Sequence, residues 1–140
     1  YIKECTQFLE QHKRAFVRPY QFISQMDKAF AAATVVLSRA GAGTISELAI
    51  AGKATVFLPS PNVTNDHQTH NAKALSTKGA AILVEESEGV DRVMKEVEKL
   101  ILDREKVAEL EEKVVQFAYP NAGRTIAEEL LKLTKYGDKN

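Results

Sequence analysis

The fold is decided by one stretch of the sequence, Leu37-Ser38-Arg39-Ala40-Gly41-Ala42-Gly43-Thr44-Ile45-Ser46-Glu47-Leu48. An apolar run, residues 34–37, leads into it, and a helical pattern follows from Thr44 onward. This order predicts a strand that enters a loop of small residues and a helix that leaves the loop. Gly41 and Gly43 can take positive φ and allow another group to approach the backbone closely.

The start of this helix has the chemistry of a site for a nucleotide sugar. A helix N-terminus offers unpaired amide N–H groups and the positive end of the helix dipole, and both favour a phosphate. Glu47 follows about one turn inside, where a carboxylate suits ribose hydroxyl groups. The alternative is structural: many such turns bind nothing, Thr44 or Ser46 is then a helix cap, and Glu47 is a first-turn acid favoured by the dipole. The stretch matches neither the P-loop nor the dinucleotide-binding glycine pattern.

Composition indicates one ordinary globular domain. A chain of 140 residues is long enough for a single domain with its own core. Basic and acidic residues both number 19, so the balanced charge gives no case for nucleic-acid binding. The single cysteine, Cys5, excludes an internal disulfide. The chain opens without a methionine and inside a predicted helix, from which we expect a fragment of a longer protein.

Strands and helices are predicted to alternate along most of the chain. Apolar runs predict strands over residues 16–23, 34–38, 54–58 and 80–84, and helical spacing predicts helices over residues 1–11, 27–33, 44–51, 67–78, 90–102, 105–117 and 124–135. Gly52 and Gly79 are expected to close the helices before them. Apolar strands separated by helices indicate an α/β fold, a Rossmann-like parallel sheet with helices on both faces.

Ligands of such sheets bind beyond the carboxyl ends of the strands. We therefore expect three loops to meet at one edge: the loop after Ile23, residues 38–44, and residues 59–66. The helix after the third loop presents His67 and Asn71 at i, i+4, with Gln68 beside them. Amide side chains suit the recognition of sugar hydroxyls because each offers donors and an acceptor.

A metal site is the less favoured interpretation of the same segment. Asp66, His67 and His70 carry possible ligand atoms, but their spacing matches no recognised metal motif. Asp66 is instead expected to be a helix N-cap, and His70 a solvent-facing residue of the helix. We predict no metal.

Taken together, several segments resemble the C-terminal half of the GT-B glycosyltransferases and, more narrowly, the MurG family. The resembling segments occur in the order and at the spacing that the family has, and they cover about residues 16–85. They are Phe22-Ile23-Ser24-Gln25-Met26, residues 36–48, Gly52-Lys53 leading to residues 58–61, and residues 66–72. The resemblance implies inverting transfer of N-acetylglucosamine from UDP-N-acetylglucosamine to undecaprenyl-pyrophosphoryl-N-acetylmuramoyl-pentapeptide in bacterial peptidoglycan synthesis.

The resemblance also implies roles for single residues. Phe22 and Ile23 would contact the uracil, and Glu47 would accept hydrogen bonds from the ribose. The nucleotide would lie against Ala42, Gly43 and Thr44. The N-acetylglucosamine subsite would be lined by His67, Gln68 and Asn71. The family often has a glutamine at the place of His67. It uses no tightly held cofactor, so the resemblance implies none for this chain.

What the sequence lacks relative to the family bears on activity. The family's C-terminal half opens with a strand and a Gly/Ser-rich loop that help to hold the diphosphate, and its N-terminal half carries the acceptor site and the proposed general base. Neither is found in residues 1–140. We therefore expect a donor-binding domain without catalytic residues that is inactive alone, from a protein at the cytoplasmic face of the bacterial inner membrane, bound there peripherally because the acceptor is a lipid.

Two alternatives stay open. The chain could belong to another GT-B enzyme that uses UDP-N-acetylglucosamine, as a donor-binding or catalytic subunit completed by a partner chain. It could also be a non-catalytic nucleotide-binding module. The Phe22–Met26 segment and the Pro59-Ser60-Pro61 loop favour the MurG family.

Overall fold

The computed structural model describes residues 2–11, 16–61 and 66–137. The chain divides into two compact units, residues 1–32 and residues 33–140. The first unit contains α1 (Ile2–Gln11) and α2 (Met26–Ala32). Both helices were expected, and α2 begins and ends one residue earlier than the periodicity predicted.

The strand predicted over residues 16–23 is wrong, because these residues have no regular structure. Their aromatic and β-branched side chains favour a strand, but Pro19 has no N–H to give to a ladder. Phe16, Tyr20 and Phe22 are also 78%, 63% and 82% exposed. A strand is stabilised by packing against neighbours, and side chains this exposed do not supply it.

The second unit is an alternation of strands and helices. Its elements are β1 (Val36–Ser38), α3 (Ala42–Ala51), β2 (Thr55–Phe57), α4 (His67–Ser76), β3 (Ile82–Leu83), α5 (Val90–Leu102), α6 (Arg104–Val115) and α7 (Ala122–Gly137). A 3₁₀ turn, Glu86–Glu88, joins β3 to α5. The strands pair in parallel in the order β1-β2-β3. The predicted parallel sheet is confirmed.

Each observed strand is shorter than the apolar run that predicted it. Val36 pairs with Thr55, and Phe57 pairs with Leu83. The apolar residues that flank these pairs still bond across the sheet: the Leu58 amide donates to Ser38 O at 2.9 Å, and the Val84 amide donates to Phe57 O at 2.9 Å. The apolar runs therefore predict the position of each strand but not its first and last residues.

Both faces of the sheet are covered. All residues of β2 are buried, although successive side chains of a strand point to opposite faces. On one face, Val56 belongs to a continuous core with Ala54, which precedes β2, and Val84, which follows β3. The same core includes residues of α5 and α6, namely Val93, Leu100, Val107 and Leu110. The side chains of Thr55 and Phe57 are fully buried on the other face. The predicted two-sided sheet is therefore confirmed.

Gly52 ends α3 as the sequence predicted, whereas α4 ends before Gly79, the residue that was expected to close it. Gly52 has φ 63° and ψ 46°, and its amide donates to the carbonyls of the last turn of α3. The Lys53 amide donates to Leu48 O at 3.1 Å, which completes a Schellman motif. Gly79 also has positive φ, 68°, but α4 itself ends at Ser76, two residues before the predicted end.

The remaining helix bounds differ from the predictions by at most two residues. α5 has the predicted bounds, whereas α6 spans Arg104–Val115 rather than 105–117. α7 begins two residues early and continues through Gly137, into the predicted tail. Residues 62–65 of the predicted loop and residues 138–140 lie outside the described part of the chain.

Ion pairs stabilise the helices on the α5–α6 side. Glu96 of α5 is buried, and it accepts hydrogen bonds from Lys99 Nζ at 2.7 Å and from Arg92. The Lys99 hydrogen bond, with help from Arg92, holds the pKa of Glu96 below its usual range against the opposing effect of burial. On α6, hydrogen bonds from Lys106 and Lys113 lower the pKa of Glu109 to about 2.

Candidate functional site

The glycine loop is an open helix start at the carboxyl end of β1. Gly41 is the N-cap of α3, with φ −67° and ψ 145°, and no side chain caps the helix. The first helical hydrogen bond runs from the Ile45 amide to Gly41 O at 3.0 Å. The amides of residues 42–44 therefore precede the intrahelical ladder. An anion placed there would meet polarised N–H groups.

Gly41 and Gly43 contribute space rather than an unusual backbone. Positive φ occurs in the described residues only at Gly52, Gly79, Gly89 and Asp66. Among the described residues, a Cβ added at Gly43 would meet nothing within 4 Å, and one added at Gly41 would meet only Thr44 Oγ1 at 3.8 Å. Packing within the described part of the chain therefore does not require glycine at either position.

Glu47 lies deeper in the helix than the sequence indicated. Because α3 begins at Ala42, Glu47 is the sixth helical residue and not a first-turn acid. The interpretation of Glu47 as a dipole-favoured first-turn residue is therefore wrong, since that effect falls off within the first turn. Its side chain is exposed. The alternative in which Thr44 or Ser46 caps the helix is also wrong, because Gly41 is the N-cap and no side chain caps it. The Ser46 hydroxyl instead donates to Ala42 O at 3.0 Å.

Arg39 connects the loops that follow all three strands. One guanidinium nitrogen, Nη1, donates to Leu58 O and to Pro59 O, both at 3.0 Å, in the loop after β2. The other, Nη2, donates to Glu86 Oε1 at 2.7 Å, in the turn after β3. Sequence reasoning assigned Arg39 no role. The available signal in the sequence was a single charged residue among small ones, directly after a predicted strand.

Gln68 and Asn71 are held by backbone groups at the same edge. Gln68 Oε1 accepts from the Ser60 amide at 3.0 Å, and Asn71 Nδ2 donates to Ala40 O at 3.1 Å. These partners fix the orientation of both side-chain amides, because a backbone N–H only donates and a carbonyl only accepts. These two bonds use Gln68 Oε1 and Asn71 Nδ2, and they do not involve Gln68 Nε2 or Asn71 Oδ1. The predicted meeting of residues 38–44 with the start of α4 is confirmed.

The first turn of α4 has no metal-binding arrangement. Asp66 occupies the N-cap position with φ 50°, but its side chain makes no capping hydrogen bond. His67 and His70 are exposed. Among the described residues, no cluster of three or more histidine, cysteine or acidic residues is arranged to hold a metal ion.

A groove of about 560 Å³ lies beside α4, and Pro59, Pro61 and Asp66 contribute to its lining. Its lining includes Thr69 and Lys73 of α4 and residues 85–87 after β3. Lys73 Nζ and Glu85 Oε1 are 3.8 Å apart there. Neither Gln68 nor Asn71 is among the residues that line this groove, so it is not the predicted sugar subsite.

The predicted uracil contacts lie in the first unit. Phe22 is 82% exposed and Ile23 is 40% exposed. Their assignment to the uracil, and the expected approach of the loop after Ile23 to the sheet edge, stay predictions.

An open helix start and amide side chains at the carboxyl edge of a parallel sheet are features of a nucleotide-sugar transferase domain, and comparison with known proteins agrees. The family model for the glycosyltransferase family 28 C-terminal domain matches residues 3–128. The chain therefore belongs to this glycosyltransferase family.

Several relatives of this chain share one name, UDP-N-acetylglucosamine–N-acetylmuramyl-(pentapeptide) pyrophosphoryl-undecaprenol N-acetylglucosamine transferase. The chain is 47% identical to the enzyme of that name from Flavobacterium psychrophilum over 120 residues, which cover 85% of this chain and 32% of that protein. It is 38% identical to the Porphyromonas gingivalis enzyme over 136 residues, which cover 97% of this chain and 36% of that protein. The chain thus spans about a third of the length of these curated relatives.

A solved structure supports the same fold. The crystal structure of Acinetobacter baumannii MurG superposes with a TM-score of 0.74 at 36% identity, covering 82% of this chain and 33% of that one. The fold is thus that of the C-terminal half of a GT-B glycosyltransferase. Among the helices in the described residues, none has the length and apolar character needed to cross a bilayer.

Proposed function

We propose that this chain supplies the donor-binding part of an inverting transferase that moves N-acetylglucosamine from UDP-N-acetylglucosamine to an undecaprenyl-linked N-acetylmuramoyl-pentapeptide. The observation that carries the proposal is the hydrogen bond from Asn71 Nδ2 to Ala40 O. It sets the Asn71 amide, which suits sugar hydroxyls, against the glycine loop that opens α3. The relatives' names supply this donor and this acceptor.

In the proposed complex, the donor lies across the carboxyl edge of the sheet. The amides of Ala42, Gly43 and Thr44 face the nucleotide, and Glu47 accepts hydrogen bonds from the ribose hydroxyls. Phe22 and Ile23 contact the uracil. The sugar lies against His67, Gln68 and Asn71.

The site has the chemistry to orient the donor but not to carry out the whole reaction. An amide-rich helix start stabilises negative charge, so it favours both the bound diphosphate and its departure as UDP. Activation of the acceptor hydroxyl needs a general base, and we assign none of residues 1–140 to that role. We place the base and the acceptor site in the remainder of a longer protein, which we expect to associate peripherally with the membrane that holds the lipid acceptor.

The test is a transfer assay with the full-length protein, radiolabelled UDP-N-acetylglucosamine and the lipid-linked muramoyl-pentapeptide. We expect a labelled disaccharide product that stays attached to the lipid. Transfer to a different acceptor alone would indicate another GT-B enzyme. Donor binding without any transfer would indicate a nucleotide-binding module.

A further inference from the structure

We propose that Arg39 is a positioning residue for the donor sugar, and that it acts through one peptide unit on the amide of Gln68. The inference rests on the proposed function, because it assigns Gln68 to the sugar subsite. Arg39 does not itself contact the donor in this proposal.

The relay consists of two hydrogen bonds on opposite ends of the Pro59–Ser60 peptide group. The carbonyl oxygen of this group, Pro59 O, accepts from Arg39 Nη1 at 3.0 Å. Its amide, Ser60 N, donates to Gln68 Oε1 at 3.0 Å. Both bonds are partly buried. A peptide group is planar, and in its trans form the carbonyl and the N–H point in opposite directions. Fixing the oxygen therefore fixes the direction of the N–H, and with it the Gln68 amide.

The charge of Arg39 strengthens the same relay. A charged donor on the carbonyl polarises the peptide group, so its N–H becomes a better donor to Gln68. Leu58 O, also 3.0 Å from Nη1, provides a second point of attachment on the same loop. Gln68 Nε2 is then presented in one orientation, which reduces the ordering that sugar binding would otherwise require.

The ion pair with Glu86 favours binding of Arg39 to the loop after β2 over binding to a phosphate. The Glu86 carboxylate lies 2.7 Å from Nη2 and offsets the guanidinium charge. With Nη1 on two carbonyls and Nη2 on a carboxylate, both terminal nitrogens of Arg39 are engaged by protein acceptors. The forked shape of arginine suits this arrangement, whereas a lysine has a single nitrogen to offer.

The experiment measures the affinities of the full-length protein for UDP-N-acetylglucosamine and for UDP by calorimetric titration. Arg39→Ala should weaken UDP-N-acetylglucosamine binding about tenfold, which corresponds to about 1.4 kcal/mol. UDP binding should change less than twofold, because UDP lacks the sugar that Gln68 contacts. Arg39→Lys should show the same selective loss, at least about threefold, because lysine keeps the charge but not the fork.

A double variant distinguishes a relay from a general structural effect. If Arg39 acts through Gln68, then Arg39→Ala combined with Gln68→Ala should bind UDP-N-acetylglucosamine no more weakly than Gln68→Ala alone. The matched control is Lys106→Ala, which removes another exposed ion pair with an N···O distance of 2.7 Å, on α6. It should leave both affinities unchanged. If Arg39→Ala does not fold, the affinities of Arg39→Lys for UDP-N-acetylglucosamine and UDP are compared with those of the wild type instead.

Three results would overturn the inference while leaving the proposed function intact: equal losses for UDP and UDP-N-acetylglucosamine, rescue of both affinities by lysine, or additive losses in the double variant. The first two would make Arg39 a ligand of the diphosphate. A wild-type protein that binds neither compound would refute the proposed function, and the inference with it.

Discussion

Replacement of Glu47 by alanine should separate folding from donor binding. The side chain is exposed, and no hydrogen bond or ion pair joins it to the residues that the structure describes. As the sixth residue of α3, it also lies beyond the turn where the helix dipole favours an acid. The change in the free energy of unfolding should therefore stay within about 0.5 kcal/mol. Alanine's higher helix propensity adds a small stabilisation.

The effect on the donor should be much larger. A carboxylate that accepts hydrogen bonds from ribose hydroxyls contributes about 1.5–3 kcal/mol. Its loss should therefore raise the dissociation constant for UDP-N-acetylglucosamine roughly 10- to 150-fold. Glu47→Gln keeps the size and one acceptor oxygen but removes the charge, so its loss should be intermediate.

The assay is calorimetric titration of the full-length protein, with urea denaturation of the same samples. Glu112→Ala is the matched control, because Glu112 is an exposed glutamate on α6. It should leave both stability and affinity unchanged. If Glu47→Ala binds the donor as well as the wild type does, the ribose assignment is wrong. If it binds poorly because it unfolds, Glu47 is a structural residue.

Three further predictions concern stability. Leu110→Ala should lower the free energy of unfolding by about 2–5 kcal/mol in urea denaturation, because Leu110 is 1% exposed within the main core cluster. Gly52→Ala should lower the same quantity by about 1–2 kcal/mol, because its φ of 63° is left-handed and the new Cβ would lie 3.2 Å from Val115 Cγ2. Stability should also fall as the pH drops from about 4.5 toward about 2. Folding lowers the pKa values of Glu96 and Glu109, so the unfolded chain takes up protons at a higher pH than the folded chain does. The two carboxylates therefore contribute fully to stability only above their pKa in the unfolded chain.

Each of these predictions has a discriminating comparison. Gly123→Ala should not destabilise, since a Cβ there meets nothing within 4 Å. Equal effects at Gly52 and Gly123 would show that the left-handed backbone is not the cause. For the acid effect, Glu96→Gln should flatten the dependence of unfolding free energy on pH below about 4.5. An unchanged slope would mean that the ion pairs on α5 do not contribute to it. A loss below about 1 kcal/mol in Leu110→Ala would mean that the core repacks.

The sequence by itself determined the class of the fold and most of its elements. Continuous apolar runs located β1, β2 and β3, because a parallel strand covered on both faces needs no polar alternation. Periodicity located the helices, and Gly52 ended α3 because only a residue without a Cβ takes its left-handed backbone cheaply. The same reasoning failed at residues 16–23, where propensity indicated a strand but the packing that stabilises one is missing.

Only the tertiary structure decided how the candidate site is held together. Asn71 reaches Ala40 across 31 positions of the chain, and Arg39 reaches Glu86 across 47. Spacing and propensity describe neighbours within a few residues, so they could nominate Gln68 and Asn71 as sugar-binding amides but could not give their orientations. Those orientations depend on which backbone groups the folded sheet brings to its carboxyl edge. Arg39 was unassigned for the same reason: its partners follow two other strands, and they come within hydrogen-bonding distance only when the three strands lie side by side.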